Sequence, residues 1–164
     1  MTLEIQPIGN TYSEQVIDLI LNIQQKEFNI PITIEDQPDL LKIESFYRER
    51  GGNFWGAFID GELVGTIALV KFDDNAGAIR KMFVKKEFRG KEHQIAQKLL
   101  DILISYCLEN KIDKIMLGTV SVLNAAMRFY ERNQFKVIAK EDLPAKFPLM
   151  NADNIFYIRN LNEV

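Results

Sequence analysis

Apolar and polar residues recur along this chain with periods that change from segment to segment. Residues 3–8 alternate between apolar and polar, which predicts a short strand. Apolar residues then recur at helical spacing after Ser13, which we expect to be the N-cap of a helix. Residues 29–38 hold two prolines and predict a loop. A second helix is expected over residues 38–50, where a pair of glycines follows.

The middle of the chain has the pattern of β-strands. Residues 53–59 and 63–72 flank Asp60 and Gly61, a pair that is typical of a tight hairpin turn because both positions favour positive φ. Residues 78–84 predict a third strand, and together the three should form an antiparallel meander.

Helices and strands alternate in the second half. The expected elements are a helix from near Gln94, a strand over 114–117, a helix over 124–133, and strands over 135–138 and 156–158. Strands grouped early and then alternating with helices indicate a mixed α/β sheet layered with helices.

Length and charge restrict the class of protein. The 164 residues fit one domain, 1–164, and 47% hydrophobic with 26% charged residues is typical of a globular chain. The net charge of −3 argues against a nucleic-acid partner. The single cysteine, Cys107, and single histidine, His93, predict neither an intramolecular disulfide nor a metal site. Without a signal-peptide pattern or a long apolar run, we expect a cytoplasmic protein that does not span a membrane.

Residues 84–97 form the first segment with possible chemistry, a strand end followed by a basic loop and a helix start. The first turn of a helix offers unpaired N–H groups and partial positive charge to a phosphate. Lys85, Lys86, Arg89 and Lys91 add charge, and Gly90 permits a turn. A solvated loop before an ordinary helix explains the same composition. The chain contains neither G-x-x-x-x-G-K-[ST] nor G-x-G-x-x-G, which argues against nucleotide-binding folds of those types.

Residues 123–136 form the second segment, a helix that presents Tyr130 and leads into a strand. A tyrosine hydroxyl there could donate a proton to a leaving thiolate. A tyrosine that only packs at a helix–sheet contact is the alternative.

Taken together and in this order, the segments R-G-x-x-x-x-I-A-x-K-L-L and N-A-A-x-x-F-Y-E-x-x-x-F resemble the GNAT superfamily of N-acetyltransferases. The resemblance extends over most of the chain. It implies a mixed, mostly antiparallel twisted sheet of six to seven strands with helices on both faces. It also implies acetyl-CoA as co-substrate, bound where two parallel strands near Val84 and Leu117 splay apart.

The resemblance also implies a set of site residues. Backbone groups of Met82, Phe83 and Val84 would meet the pantetheine amides, and Asn124 would lie near the pantetheine arm. Tyr130 would protonate the CoA thiolate. The pyrophosphate loop and helix start would comprise Arg89, Gly90, Lys91, Glu92, His93, Gln94, Ile95, Ala96 and Gln97, with Lys91 at the family's Q/R position.

The chain departs from the family pattern at two glycines. Gln94 replaces a glycine of the pyrophosphate loop, and Gln134 replaces the glycine that follows the tyrosine helix. We expect Gln94 to have the ordinary φ of a first-turn residue and to weaken CoA binding relative to glycine. We expect Asn133 to adopt the left-handed conformation at the end of the tyrosine helix.

Several residues are candidates for acid–base work. The strand before the R-G loop has no carboxylate, so Glu27, Glu35 and Asp36 are the candidates for a general base, although each is better explained as a solvated surface charge. The resemblance makes the Val84 N–H the oxyanion donor. The polar residues 119 and 121 are better explained as caps of a strand end. Residues 141–154 form a long loop with apolar side chains that could cover an acceptor as a lid.

The function expected from the resemblance is direct transfer of an acetyl group from acetyl-CoA to a primary amine, without a covalent enzyme intermediate and without a metal. Cys107 lies among apolar neighbours and is not a candidate nucleophile. A non-catalytic acyl-CoA-binding module with the same fold is the alternative, and a peptide-binding domain is a third. The expected acceptor is a small-molecule or peptide amine. Acidic residues between positions 27 and 39 weakly favour a cationic amine, since carboxylates attract positive charge. A homodimer is implied by the resemblance alone.

Overall fold

Seven strands form one mixed sheet in the computed structural model, which describes residues 2–121 and 123–162. The strands are β1 Leu3–Pro7, β2 Asn53–Ile59, β3 Glu62–Asp73, β4 Ala76–Val84, β5 Lys114–Thr119, β6 Lys136–Ile138 and β7 Ile155–Asn160. Their order across the sheet is β1-β2-β3-β4-β5-β7-β6. The pairs β1–β2, β2–β3, β5–β7 and β6–β7 are antiparallel, whereas β4 and β5 are parallel. The expected mixed, mostly antiparallel sheet is confirmed.

In the part of the chain that the structure describes, three α-helices accompany the sheet: α1 Ser13–Leu21, α2 Ile95–Glu109 and α3 Asn124–Arg132. None of the helices in the described ranges has the length and apolarity that crossing a membrane requires. Two compact units divide the chain, one made of Met1–Val70 with Arg80–Ser105 and the other of Lys71–Ile79 with Tyr106–Val164. The single domain expected over residues 1–164 stays a prediction.

The core of the first unit lies between α1 and the strands that precede β4. Helix α1 buries Val16, Leu19 and Ile20, and the chain continues from it as a π-helical turn, Asn22–Glu27. These residues pack in one cluster with buried aromatic side chains, Tyr47, Phe54 and Phe58. Burial of this apolar surface is the main force that holds the unit together.

Ser13 is not the N-cap that the sequence predicted. A short 3-10 turn, Asn10–Tyr12, runs directly into α1, so that Tyr12 is the cap and Ser13 already has helical dihedral angles. A residue inside the helix cannot fold its hydroxyl back onto the first N–H groups. The Ser13 hydroxyl is buried and finds no hydrogen-bond partner among the described residues.

The helix expected over residues 38–50 is split in two. A 3-10 turn, Pro38–Leu41, is followed by a π-helical turn, Glu44–Arg48, because the backbone of Lys42 between them leaves the helical region. Gly51 then stops the second turn with a φ of +92°, as its position predicted. The predicted loop before this segment holds a short 3-10 turn of its own, Ile34–Asp36.

The hairpin between β2 and β3 matches its prediction. Asp60 and Gly61 have φ angles of +50° and +84°, the left-handed pair that a tight two-residue turn requires. Bounds of the other predicted elements differ from the observed ones by a few residues, mostly because the strands are longer than their apolar runs.

Helix α3 ends in a Schellman motif. The Phe135 N–H donates to the Tyr130 carbonyl at 3.0 Å, and the Gln134 N–H donates to the Glu131 carbonyl at 3.1 Å. The residue between helix and strand that takes the left-handed conformation is Gln134, with a φ of +70°. The expectation that Asn133 would do so is wrong, since Asn133 is the C-cap with a φ of −96° and the motif places its left-handed residue one position later.

Replacing Gln134 with glycine should therefore raise the free energy of unfolding. A non-glycine residue in the left-handed region costs about 1 kcal/mol, and Gln134→Gly removes that cost. Urea unfolding followed by circular dichroism measures the change, with Asn133→Gly as the matched control, which should destabilise the protein. A lower stability for Gln134→Gly would contradict the assignment of strain to this residue.

Candidate functional site

The end of β4 is fixed by contacts to its backbone. The Val84 carbonyl oxygen accepts a hydrogen bond from Arg89 Nε at 2.7 Å. The next N–H, that of Lys85, donates to the Val64 carbonyl oxygen on β3 at 2.8 Å. The strand end predicted to meet the pantetheine arm, Met82–Val84, therefore has a defined backbone position within the first unit.

Arg89 holds three parts of the first unit together. Besides its bond to Val84, its guanidinium donates from both terminal nitrogens to the two carboxylate oxygens of Glu27. It also lies over the ring of Phe28, 5.9 Å from the centroid. No local sequence pattern predicts this pairing, because the two residues are 62 positions apart. The resemblance implies that Arg89 belongs to the pyrophosphate loop, and the partners of its side chain are Val84, Glu27 and Phe28.

The carboxylates predicted as possible bases differ in their surroundings. The hydrogen bonds from Arg89 hold the pKa of Glu27 below its usual range, so that this carboxylate is a weaker base than an ordinary one. Asp36 accepts hydrogen bonds from the N–H and hydroxyl of Thr33, which caps a short turn. Glu35 is exposed.

The loop from Gly90 to the start of α2 has two residues with positive φ. Gly90 has a φ of +107°, and Gln94 has a φ of +51°. Helix α2 starts at Ile95, and the Gln94 carbonyl oxygen accepts the N–H of Lys98 at 3.0 Å. The expectation that Gln94 has an ordinary φ is therefore wrong. It precedes the helix instead of lying in its first turn, and the sharp entry of the loop requires a left-handed residue there.

The remaining residues of this loop are open to solvent to different degrees. Lys91 and Glu92 are exposed, and His93 is half-buried with its ring 5.8 Å from that of Phe88. The backbone N–H groups at the start of α2, which begins at Ile95, carry the partial positive charge of a helix N-terminus. Their arrangement suits an anion such as phosphate.

Tyr130 belongs to an aromatic cluster of the second unit. Its ring is 5.7 Å from that of Phe135 and 5.8 Å from that of Tyr157, and the residue is buried. Burial raises the pKa of Tyr130 far above its usual value, and the neighbouring Asp153 raises it further. The phenol therefore keeps its proton at neutral pH, as a proton donor must.

Two other predicted positions lie in the second unit. Asn124 is the first residue of α3 and is exposed. The end of β5 is capped by Asn154, whose N–H donates to the Thr119 carbonyl oxygen at 2.9 Å and whose side-chain oxygen accepts the Ser121 N–H at 2.9 Å. Asn154 Nδ2 also donates to the Ser121 hydroxyl at 3.2 Å, so Asn154 supplies the cap that was expected of residues 119 and 121, and these two are its partners.

Phe147 does not belong to an open lid. Its ring packs against Phe72 at 5.7 Å and Phe156 at 6.1 Å, and the residue is buried. Its apolar surface therefore contributes to the core of the second unit. Only Leu149 and Met150 of the predicted lid expose large apolar side chains.

Cys107 is fully buried, and burial raises the pKa of its thiol to about 12. A thiol of that kind is not a nucleophile at neutral pH. Over residues 2–121 and 123–162, no group of three or more His, Cys, Asp or Glu side chains could hold a metal ion.

Comparison with known proteins identifies the family. The sequence model of the acetyltransferase (GNAT) family matches residues 17–135. An acetyltransferase of the GNAT family from Staphylococcus aureus Mu50 is 45% identical, with a TM-score of 0.93 over 98% of this chain and 99% of that one. The chain belongs to the GNAT acetyltransferase family, as its motifs predicted.

Two further comparisons are with a curated protein and with a solved structure. N-acetylaspartate synthetase from Danio rerio is 34% identical over 106 residues, which are 63% of this chain and 37% of that protein. This chain thus matches well under half of the length of that relative. The PaiA N-acetyltransferase from Thermoplasma acidophilum, solved in complex with coenzyme A, has a TM-score of 0.75 over 98% of this chain and 99% of that one. At 19% identity, that likeness shows a shared fold.

The ion pair of Arg89 with Glu27 should make stability depend on pH in the acid range. The folded-state pKa of Glu27 lies below its ordinary value of 4.5, so the pair stabilises the fold above that pH. This contribution is lost as pH falls through the lowered pKa. Urea unfolding between about pH 7 and about pH 3 should therefore show a shallower acid decline for Glu27→Gln than for the unmodified chain.

The exposed neighbour Glu35 supplies the control, since Glu35→Gln should leave the slope of stability against pH unchanged. Parallel curves for Glu27→Gln and the unmodified chain would contradict the role of the pair.

Proposed function

We propose that this chain is an acetyl-CoA-dependent N-acetyltransferase that transfers the acetyl group directly to a primary amine, with Tyr130 as the general acid. The observation that carries the proposal is the buried Tyr130 on α3 in a chain of the GNAT family. The N-terminus of α2, which follows the Arg89–Gly90 loop in the chain, supports the binding of a pyrophosphate.

The cofactor would contact three groups of residues. Backbone N–H groups from Ile95 to Gln97 suit the pyrophosphate, since they begin a 15-residue helix whose dipole favours negative charge. Backbone groups of Met82–Val84 would hold the pantetheine amides. Asn124, exposed at the start of α3, would hydrogen-bond near the same arm.

The proposed reaction begins with attack of a neutral amine on the thioester carbonyl carbon. The Val84 N–H would stabilise the oxyanion of the tetrahedral intermediate. When the carbon–sulfur bond breaks, the thiolate takes the proton of Tyr130, and the products are an amide and CoA. The amine loses its proton to a base or to water, and the lowered pKa of Glu27 makes that carboxylate a poor base for this step.

The acceptor is proposed as a small molecule or peptide with a primary amine. A relative named N-acetylaspartate synthetase makes aspartate the first acceptor to test, followed by cationic amines.

The cofactor proposal is tested by calorimetric titration with acetyl-CoA and with free CoA. We expect a dissociation constant in the micromolar range for the unmodified chain, and about fivefold tighter binding for Gln94→Gly. Glycine adopts the positive φ of this position without strain, and removal of the glutamine side chain lets phosphate approach the backbone more closely.

Gln134→Gly is the matched control for this titration, because it relieves similar strain at the end of α3 and should leave the affinity unchanged. Equal or weaker binding by Gln94→Gly would contradict the role of that side chain. No binding of either ligand at about 1 mM would contradict the proposed function.

Tyr130→Phe should lower kcat about 100-fold and leave the affinity for CoA unchanged, because it removes a proton donor that acts only in the transition state. Acetyl transfer is measured by release of free thiol with an accepted amine. Tyr157→Phe is the control, since Tyr157 is buried in the same aromatic cluster and its hydroxyl is bonded to Glu131. An unchanged kcat for Tyr130→Phe would remove Tyr130 from the mechanism.

A non-catalytic acyl-CoA-binding module is the second candidate. The observation in its favour is that glutamine occupies both positions where the family has glycine. Binding of acetyl-CoA without turnover on any amine, including by Gln94→Gly, would favour this alternative.

A further inference from the structure

Five polar side chains form a hydrogen-bonded group in the interior of the first unit. We call this group the Lys81 network, and its members are Gln24, Gln37, Asp39, Tyr47 and Lys81. Tyr47 is completely buried, and the side chain of Lys81 is only 9% exposed. Polar groups at this depth are costly unless each has a partner.

The side chains of the Lys81 network form a linear series of hydrogen bonds and one ion pair. Lys81 Nζ donates to Gln37 Oε1 at 2.6 Å and lies 3.6 Å from Asp39 Oδ2. The Tyr47 hydroxyl donates to the same oxygen of Asp39 at 2.5 Å, and Gln37 Nε2 donates to Gln24 Oε1 at 2.7 Å. The ammonium thus connects β4 to the segment between residues 24 and 47.

The backbone of Lys81 is distorted at the same position. Its φ of +53° lies in the left-handed region, although it stands inside β4. Its carbonyl oxygen accepts a hydrogen bond from the hydroxyl of the fully buried Thr66, at 2.7 Å. A left-handed residue inside a strand re-aims the residues that follow it, as a β-bulge does.

The strand after this distortion is Met82–Val84, the segment proposed to meet the thioester. Its far end is held by Arg89 at the Val84 carbonyl oxygen. In its middle, a Cβ added to Gly65 would lie 3.1 Å from the Phe83 carbonyl oxygen, which shows how closely β3 approaches. The side chain of Lys81 is therefore positioned to hold the near end.

A buried ammonium is an unusual anchor for a strand. Burial lowers the pKa of Lys81, and the Asp39 carboxylate opposes that shift. Buried ion pairs commonly stabilise a fold no more than apolar side chains of the same volume do. They do impose one geometry, because each partner must be satisfied.

We propose that Lys81 is a positioning residue for acetyl transfer, whose buried ammonium, held by Gln37 and Asp39, fixes the left-handed bend of β4 and so the aim of the Met82–Val84 backbone. This inference rests on the proposed function. Lys81 acts through the backbone and does not exchange protons with the substrate.

The test compares Lys81→Met with Lys136→Met. Methionine matches the apolar stem of lysine as far as Cε and removes the ammonium. Lys136 is an exposed lysine on β6. We expect Lys81→Met to lower kcat about 30-fold to 100-fold, because small misplacements of reacting groups cost about that much. Its affinity for free CoA should stay within about threefold, since the pyrophosphate loop is unchanged. Lys136→Met should match the unmodified chain in both measurements.

Two further readouts separate this role from others. Hydrogen–deuterium exchange of peptides covering residues 79–85 should accelerate in Lys81→Met, while peptides from β2 should not change; this measurement holds whether or not the chain turns over. The plot of kcat against pH should keep its shape, with a lower kcat at every pH. Unchanged exchange, or a kcat within threefold of that of the unmodified chain, would overturn the proposal. Loss of one limb of the pH profile would also overturn it, because Lys81 would then carry a proton in the reaction.

Tyr47→Phe is the second test variant, used if the Lys81→Met protein does not fold. This change removes the hydroxyl that donates a hydrogen bond to Asp39. It keeps the ring, whose centroid lies 5.2 Å from that of Phe54. A several-fold fall in kcat with faster exchange over residues 79–85 would support the proposal, and an unchanged kcat with unchanged exchange would overturn it. Absence of CoA binding and turnover in the unmodified chain would instead contradict the proposed function.

Discussion

The hydrogen bond from Arg89 to the Val84 carbonyl oxygen connects the end of a central strand to the loop that follows it. The same guanidinium binds Glu27, so the strand, the loop and the turn after α1 share one charged centre. A guanidinium suits this task because its planar fork can serve a carbonyl and a carboxylate at once. The proposed cofactor loop depends on this centre, since Arg89 is its first residue.

Left-handed backbone is the second constraint on the site. Gln94 and Gln134 both stand where the family has glycine, and both keep the positive φ that glycine would adopt freely. The fold therefore imposes the conformation, and the side chain only changes its cost. Lys81 is a third case, in which partners of the side chain compensate for an unusual backbone.

Much of the fold and of the predicted site followed from local patterns. The Asp60-Gly61 turn, the strand ending at Val84 and the helix carrying Tyr130 all occur where the periods and turn residues indicated. The conformations predicted for Gln94 and Asn133 are wrong. Local propensity describes which residues tolerate a positive φ, whereas the way the chain enters or leaves a helix decides which residue must adopt it.

By itself the sequence determined the order of elements, the family and the residue types available for chemistry, because these depend on short-range periodicity and on motifs. Only the tertiary structure decided which charges meet. The pairing of Arg89 with Glu27, the burial of Lys81 beside Asp39, and the packing of Phe147 into the second unit join residues far apart in the chain. Their energies depend on distance and desolvation in the folded state, which no local pattern records.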